Sequence, residues 1–169
     1  MSDIYIEREL LQEFKLLHVK QRFPHWQFVK ESEESAYLEG WEVPKGDSST
    51  YLLRLCFHPQ LLEARPSLYV WEPVTLARVP SGTINEITGH NTHTWSNGPG
   101  GRVQICWGAN WDATASFVLP ILNGLIWLLA YSAHLKTGRS IADCSDTDWL
   151  KGYLIYLQTG RPIADCLPK

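Results

Sequence analysis

Apolar residues recur along the first twenty positions with helical spacing. Ile6, Leu10, Phe14 and Leu17 fall on one face, widened by Leu11, while Glu7, Arg8, Glu13, Lys15 and Lys20 fall mostly on the other. The pattern predicts a helix from a Ser2 or Asp3 cap to about Gln21, stopped by Pro24, with its charges on a solvated face. The period then shortens to two. Strands are predicted over 26–30, over 36–43 with Tyr37, Trp41 and Val43 at alternate positions, and over 51–57, whose nearly continuous apolar run marks a central strand. Residues 31–34 and 44–49 are polar turns, short enough to make these strands an antiparallel meander. After a connector over 61–66, residues 67–72 supply a fourth strand. Pro73 and Pro80 bound an irregular segment, and 80–101 has weak periodicity. Unstructured passages of that length in a compact domain usually carry function or move.

Helical spacing returns over 118–136. Leu122, Leu125, Ile126, Leu129 and Ala133 define a face, broadened by Trp127, Leu128 and Tyr131. Pro120 fits only the first turn, and Gly138 suits the stop. Residues 145–148 read as a capping-box-like start for a shorter helix over 149–158, ended by Gly160. Two segments, 135–144 and 157–166, match at eight of ten positions, and each places Thr-Gly-Arg at a helix end. A duplicated helix terminator is the simple account. The alternative joins Cys144 and Cys166 as a thiol or metal pair, although no CxxC or nearby His supports it.

Length and composition change this picture little. At 169 residues the chain is expected to be a single domain over 1–169, with an N-terminal helix (1–23), a sheet (25–73), an active-site region (74–117) and C-terminal helices (118–169). A net charge of -3, with no Lys/Arg block interleaved with aromatics, argues against nucleic-acid binding. The apolar run 117–133 raises a membrane question. Its length and the interruptions at Pro120, Asn123 and Gly124 favour a buried core helix, so no membrane partner is expected. The N-terminus has no basic or apolar leader pattern, so a cytoplasmic protein with its four cysteines reduced is expected.

Candidate chemistry concentrates in 88–117, which holds two of six histidines, three of eight tryptophans and Cys106. The Gly/Pro run 97–101 breaks the pattern. Residues 102–105 then alternate as a short half-buried strand would, and Cys106 sits at its end. A lone cysteine in an apolar run is most often a small buried hydrophobe. A thiol between a strand and a helix, after a long loop, is also a nucleophile position. The surrounding architecture decides between them.

That architecture, a helix, a four-strand meander, an irregular segment, a cysteine and then helices, resembles the ubiquitin-conjugating (UBC) fold. The residues that carry the resemblance are His93-Thr94-Trp95, then Gly101-Arg102-Val103-Gln104-Ile105-Cys106, then Trp111. Residues 126–131 and the Leu-x-Thr-Gly end at 135–138 look like the bacterial branch of the family, encoded beside ubiquitin-like, activating-enzyme-like and isopeptidase genes in antiphage defence operons. The resemblance implies an α+β fold and a transferase that accepts a ubiquitin-like modifier as a thioester on Cys106 from an activating-enzyme-like protein. The modifier then passes to a target lysine. No cofactor or metal is implied. Eukaryotic members carry His-Pro-Asn where this chain has His93-Thr94-Trp95, so on the resemblance Asn97, nine positions before Cys106, could serve in place of the motif's Asn. Asn97 or backbone N–H groups near Gly100 and Gly101 would then stabilise the oxyanion. His93 would orient the loop or assist proton transfer, although a loop histidine bonded to backbone explains it as well. Asp112 reads as a helix cap or as a polariser of the incoming amine.

Three alternatives stay open on the sequence. One is an inactive conjugating-enzyme variant that only scaffolds a partner. Another is a Cys/His hydrolase using Cys106 and His93. The third is a zinc site from His90, His93 and Cys106, which offers three ligands where four are usual.

Overall fold

A computed structural model describes residues 2–108 and 110–161. The order is α1 (Ser2–Arg22), β1 (Gln27–Lys30), β2 (Ala36–Glu42), β3 (Tyr51–Phe57), β4 (Ser67–Glu72), β5 (Gln104–Ile105), α2 (Val118–Thr137), α3 (Ile141–Ser145) and α4 (Thr147–Thr159). The strands form one antiparallel sheet in chain order, with β3 at its centre. The sheet therefore has five strands, not the expected four. Its fifth strand is the two-residue piece before Cys106, which pairs Ile105 with Leu68 and Gln104 with Tyr69. The α+β class, the N-terminal helix and the C-terminal helices stand as expected.

The core lies between the sheet and α2. Leu38, Leu53, Leu55, Leu68, Val70 and Ile105 point from the strands toward Phe117, Ile121, Trp127, Leu128 and Tyr131. Gly124 lets α2 lie close to the sheet: a Cβ there would sit 2.7 Å from Leu68 Cδ2 and 3.2 Å from Leu53 Cδ1. By composition α2 is long and apolar enough to span a membrane, yet its inner face is buried inside the fold.

Three helical and strand faces differ from expectation. In α1 the apolar positions Leu10, Phe14 and Leu17 are exposed, and the buried positions among the described side chains are Lys15 and Val19; the Ile6 side chain lies outside them. Lys15 is therefore no part of a solvated face. Its ammonium donates to the Ala115 carbonyl and lies 4.7 Å from the ring centroid of Trp111 and 5.1 Å from that of Phe117. Two aromatic faces and a carbonyl make this burial tolerable. In β2 the inward residues are Ala36, Leu38 and Gly40, so Tyr37 and Trp41 face outward. In α2, Leu122 and Ile126 are exposed, while Ile121, Gly124, Trp127 and Tyr131 face the core. That helix is apolar all round, so spacing alone does not set its rotation.

The long passage after β4 is ordered by a side chain that the periodicity cannot reveal. Asn85 Oδ1 accepts from Leu76 N, and Asn85 Nδ2 donates to Val74 O and to Gly101 O. These bonds tie both ends of the loop to one amide. Short 3₁₀ turns at Ile84–Glu86, His90–Thr92 and Pro99–Gly101 fill the rest.

The repeated segments act as helix terminators. Gly138 and Gly160 both take positive φ, 73° and 69°. Thr137 and Thr159 each return a hydroxyl to the carbonyl four residues back, Ala133 O and Ile155 O. Each threonine Oγ1 also accepts the amide two residues on, from Arg139 and Arg161. In the first copy Ser140 then caps α3, a short helix the pattern does not announce, and Cys144 is buried. The proposed partner, Cys166, lies outside the described residues.

Two predictions follow from the packing. Gly124→Val is expected to lower stability by about 1–3 kcal/mol in urea denaturation, because the new methyls meet Leu68 and Leu53. For Lys15, burial lowers the pKa below 10.5, against a smaller raising influence of Asp112. The unfolded chain therefore holds that proton to higher pH than the folded one. Stability should rise as pH climbs through the lowered folded value toward 10.5. Lys15→Met lacks this gain, so the stability difference between the two proteins should change with pH in that window. A difference that stays flat with pH would contradict the burial argument.

Candidate functional site

Cys106 sits at the sheet edge because the chain on both sides of it is pinned. Upstream, residues 93–95 run beside 104–106. Trp95 N donates to Gln104 O at 2.9 Å, and Cys106 N donates to His93 O at 2.8 Å. Ile105, nearly fully buried, holds this edge against the core. The 93–95 segment is in turn fixed to α2 by Trp127 Nε1, which donates to Thr92 O at 2.8 Å. The hydroxyls of Thr92 and Thr94 bond each other inside the fold at 2.8 Å. His93 closes the preceding turn with φ 48° and ψ 46°, a left-handed conformation that costs a non-glycine residue roughly 1–2 kcal/mol. Downstream, Trp107 Nε1 donates to Pro66 O and Trp111 Nε1 to Leu62 O, at 3.2 and 3.0 Å. Trp111 also stacks on Phe117 at 5.8 Å.

The half-buried Cys106 side chain lines a groove of about 580 Å³. Its walls include His90, His93, Trp95, Arg65, Asn123 and Trp127. Cys106 and His93 thus share one groove, in addition to their backbone bond. The His93 ring meets that of His90 edge-on, 6.5 Å between centroids. Among the described residues no Asp or Glu lines the groove to orient either ring. Among the described residues no three His, Cys, Asp or Glu side chains converge as metal ligands would.

Asn97 does not line the groove. Its Nδ2 donates to Asn85 O at 2.6 Å, which uses the amide for the loop's own structure. The Gly101 N–H is likewise engaged, by Gly98 O. A different amide, Asn123 on α2, faces the groove. Its Nδ2 donates to Leu119 O at 2.9 Å, and the second hydrogen of an amide nitrogen gives it further donor capacity. The clue in the sequence is a lone amide within an apolar helix. Asp112 accepts from Thr114 N, Thr114 Oγ1 and Ala115 N. It therefore caps the turn before α2 rather than the helix itself. The Thr114 hydroxyl holds its carboxyl below the usual range.

The other described cysteines are quieted by burial, which favours the neutral thiol. Burial pushes the Cys56 thiol up to about 11 and raises that of Cys144 as well. Compared with known protein families, with curated proteins and with solved structures, the chain matches none.

The expected consequence is selective labelling. At pH 8 about one in a thousand Cys56 side chains is thiolate, given a pKa of about 11. Iodoacetamide at that pH, followed by peptide mapping, should modify Cys106 well before Cys56 or Cys144. Equal or faster modification of Cys56 would contradict the groove assignment.

Proposed function

We propose that the chain is a ubiquitin-conjugating-like acyl carrier with Cys106 as its thioester site. The single observation behind this reading is a half-buried cysteine at the end of an edge strand, opening into a groove walled by the loop before it and the helix after it. The element order, a helix, a meander and then helices, agrees with the resemblance read from residues 93–111. The partners are then an activating-enzyme-like protein, a ubiquitin-like modifier and target lysines, in bacterial antiphage defence.

The chemistry asks little of the protein beyond position. The Cys106 thiolate attacks the thioester carbonyl of the activated modifier. The new C–S bond forms first, and the tetrahedral oxyanion then collapses to break the old one, the departing thiolate taking up a proton. A neutral lysine amine later adds to the Cys106 thioester, and the intermediate expels the Cys106 thiolate as the nitrogen gives up one proton to that sulfur or to water. Both sides of the first exchange are thioesters, so orientation contributes most. A fixed donor to the tetrahedral oxyanion typically contributes ~3 kcal/mol. Asn123, which lines the groove with Cys106, is the candidate for that role in this reading, since the Asn97 amide is bonded to Asn85 O.

A second reading, an inactive variant that only binds a partner, is favoured by one observation: the Asn97 amide is committed to Asn85. One experiment separates the two. The protein is incubated with a cognate activating enzyme, its modifier and ATP, then resolved with and without reductant. The carrier reading expects an adduct that reductant removes and that Cys106→Ala abolishes. No adduct, or one that survives Cys106→Ala, refutes the carrier and leaves the scaffold.

A further inference from the structure

Helix α1 turns an apolar stripe away from the rest of the protein. Leu10, Phe14 and Leu17 are 60%, 55% and 50% exposed, while Lys15 and Val19 on the opposite side are buried. Single apolar residues on a surface are ordinary, but these three follow one another along one side of one helix. Their spacing is four residues and then three, the alternation that lets one helix pack along another. The Phe14 ring is steadied by His18, 4.2 Å between centroids.

The flank beside the stripe carries both signs of charge. Glu13 and Lys20 are exposed, and neither forms an ion pair among the described residues. They stand seven residues apart, on the same side of the helix but about two turns from each other. Each precedes a seam position, Phe14 in one case and Gln21 in the other. A second α1 running antiparallel sets its Lys20 beside Glu13 and its Glu13 beside Lys20, one contact made twice by a two-fold axis. A parallel pair gives Lys20 no carboxylate on the facing helix. The seam is short, since the positions flanking it, Glu7 and Gln21, are polar. Three apolar residues a side fall well below the roughly 20–30 residues of a standard interface, so half-assembly is expected on the order of 100 µM.

We propose that α1 is a self-association surface, on which two copies of this chain dock antiparallel through Leu10, Phe14 and Leu17, with Glu13 of each copy against Lys20 of the other. The central layers set Phe14 against Leu17 of the second copy. The stripe lies opposite Lys15 and Val19, so the body of each copy stays on the outer side of the helix pair. No α1 residue lines the Cys106 groove, and the dimer stands whether or not Cys106 carries an acyl group.

Sedimentation equilibrium of the whole chain, from about 5 µM to about 1 mM, tests this. The wild-type protein should pass from monomer to dimer and stop there, because a two-fold interface closes on itself. Phe14→Ser combined with Leu17→Ser, both at exposed positions, should keep the chain monomeric throughout. Glu13→Lys alone, or Lys20→Glu alone, brings like charges together and should weaken the dimer at least about threefold. The two changes in one chain should restore the wild-type constant, which a merely sticky surface would not do. A wild-type chain still monomeric at the highest concentration overturns the proposal and leaves the stripe to a different protein. A dimer that survives the two serines, assembly that continues past the dimer, or a charge swap that fails to restore would overturn it as well.

Discussion

The hydrogen bond from the Cys106 amide to the His93 carbonyl organises the functional half of this molecule. It closes a short clip in which 93–95 and 104–106 lie side by side. The clip is held from below by Ile105 in the core and from the side by the Trp127 indole on Thr92 O. A two-residue strand such as β5 has little stability of its own. It persists here because β4, α2 and the 93–95 segment all constrain it. The sulfur then emerges where the clip ends, with its backbone donor already satisfied.

The downstream side is fixed by aromatic rings. Trp107 and Trp111 turn their indole N–H groups to the connector between β3 and β4 and meet one another edge to face, 5.6 Å between centroids. Lys15 reaches under Trp111 from α1, so the N-terminal helix braces the segment that follows the cysteine. The same rings therefore serve structure and site. Trp107 supports the core on one side and grips Arg65 on the other.

Much of the framework is legible in the chain. β3 and β4 occur over the residues whose pattern predicts them, as does the start of α2, because alternation, turn residues and caps agree locally. The faces of α1 and α2 are less legible. Both helices carry apolar residues around most of their circumference, so rotation is set by tertiary fit: Gly124 against Leu68 in one, and Lys15 in its aromatic pocket in the other. At the site, Cys106 and His93 could be picked out by residue type and position. Arg65, Asn85 and Asn123 could not, since each matters through contacts more than twelve positions away or through a cavity that only the fold creates. Asn97 is close to Cys106 in sequence, but its amide bonds Asn85 O and it is not among the residues lining the groove.

The central claim is that the Cys106 sulfur is reached through an open groove while its backbone stays clipped. The direct measurement is the rate of modification of Cys106 by a small thiosulfonate as reagent concentration is raised, set beside the hydrogen-exchange rate of the Cys106 amide. The account predicts a rate that rises linearly with reagent and exceeds the opening rate read from exchange. A rate that levels off at the opening rate would mean that the clip must break before the sulfur can react, and the groove would not be a site.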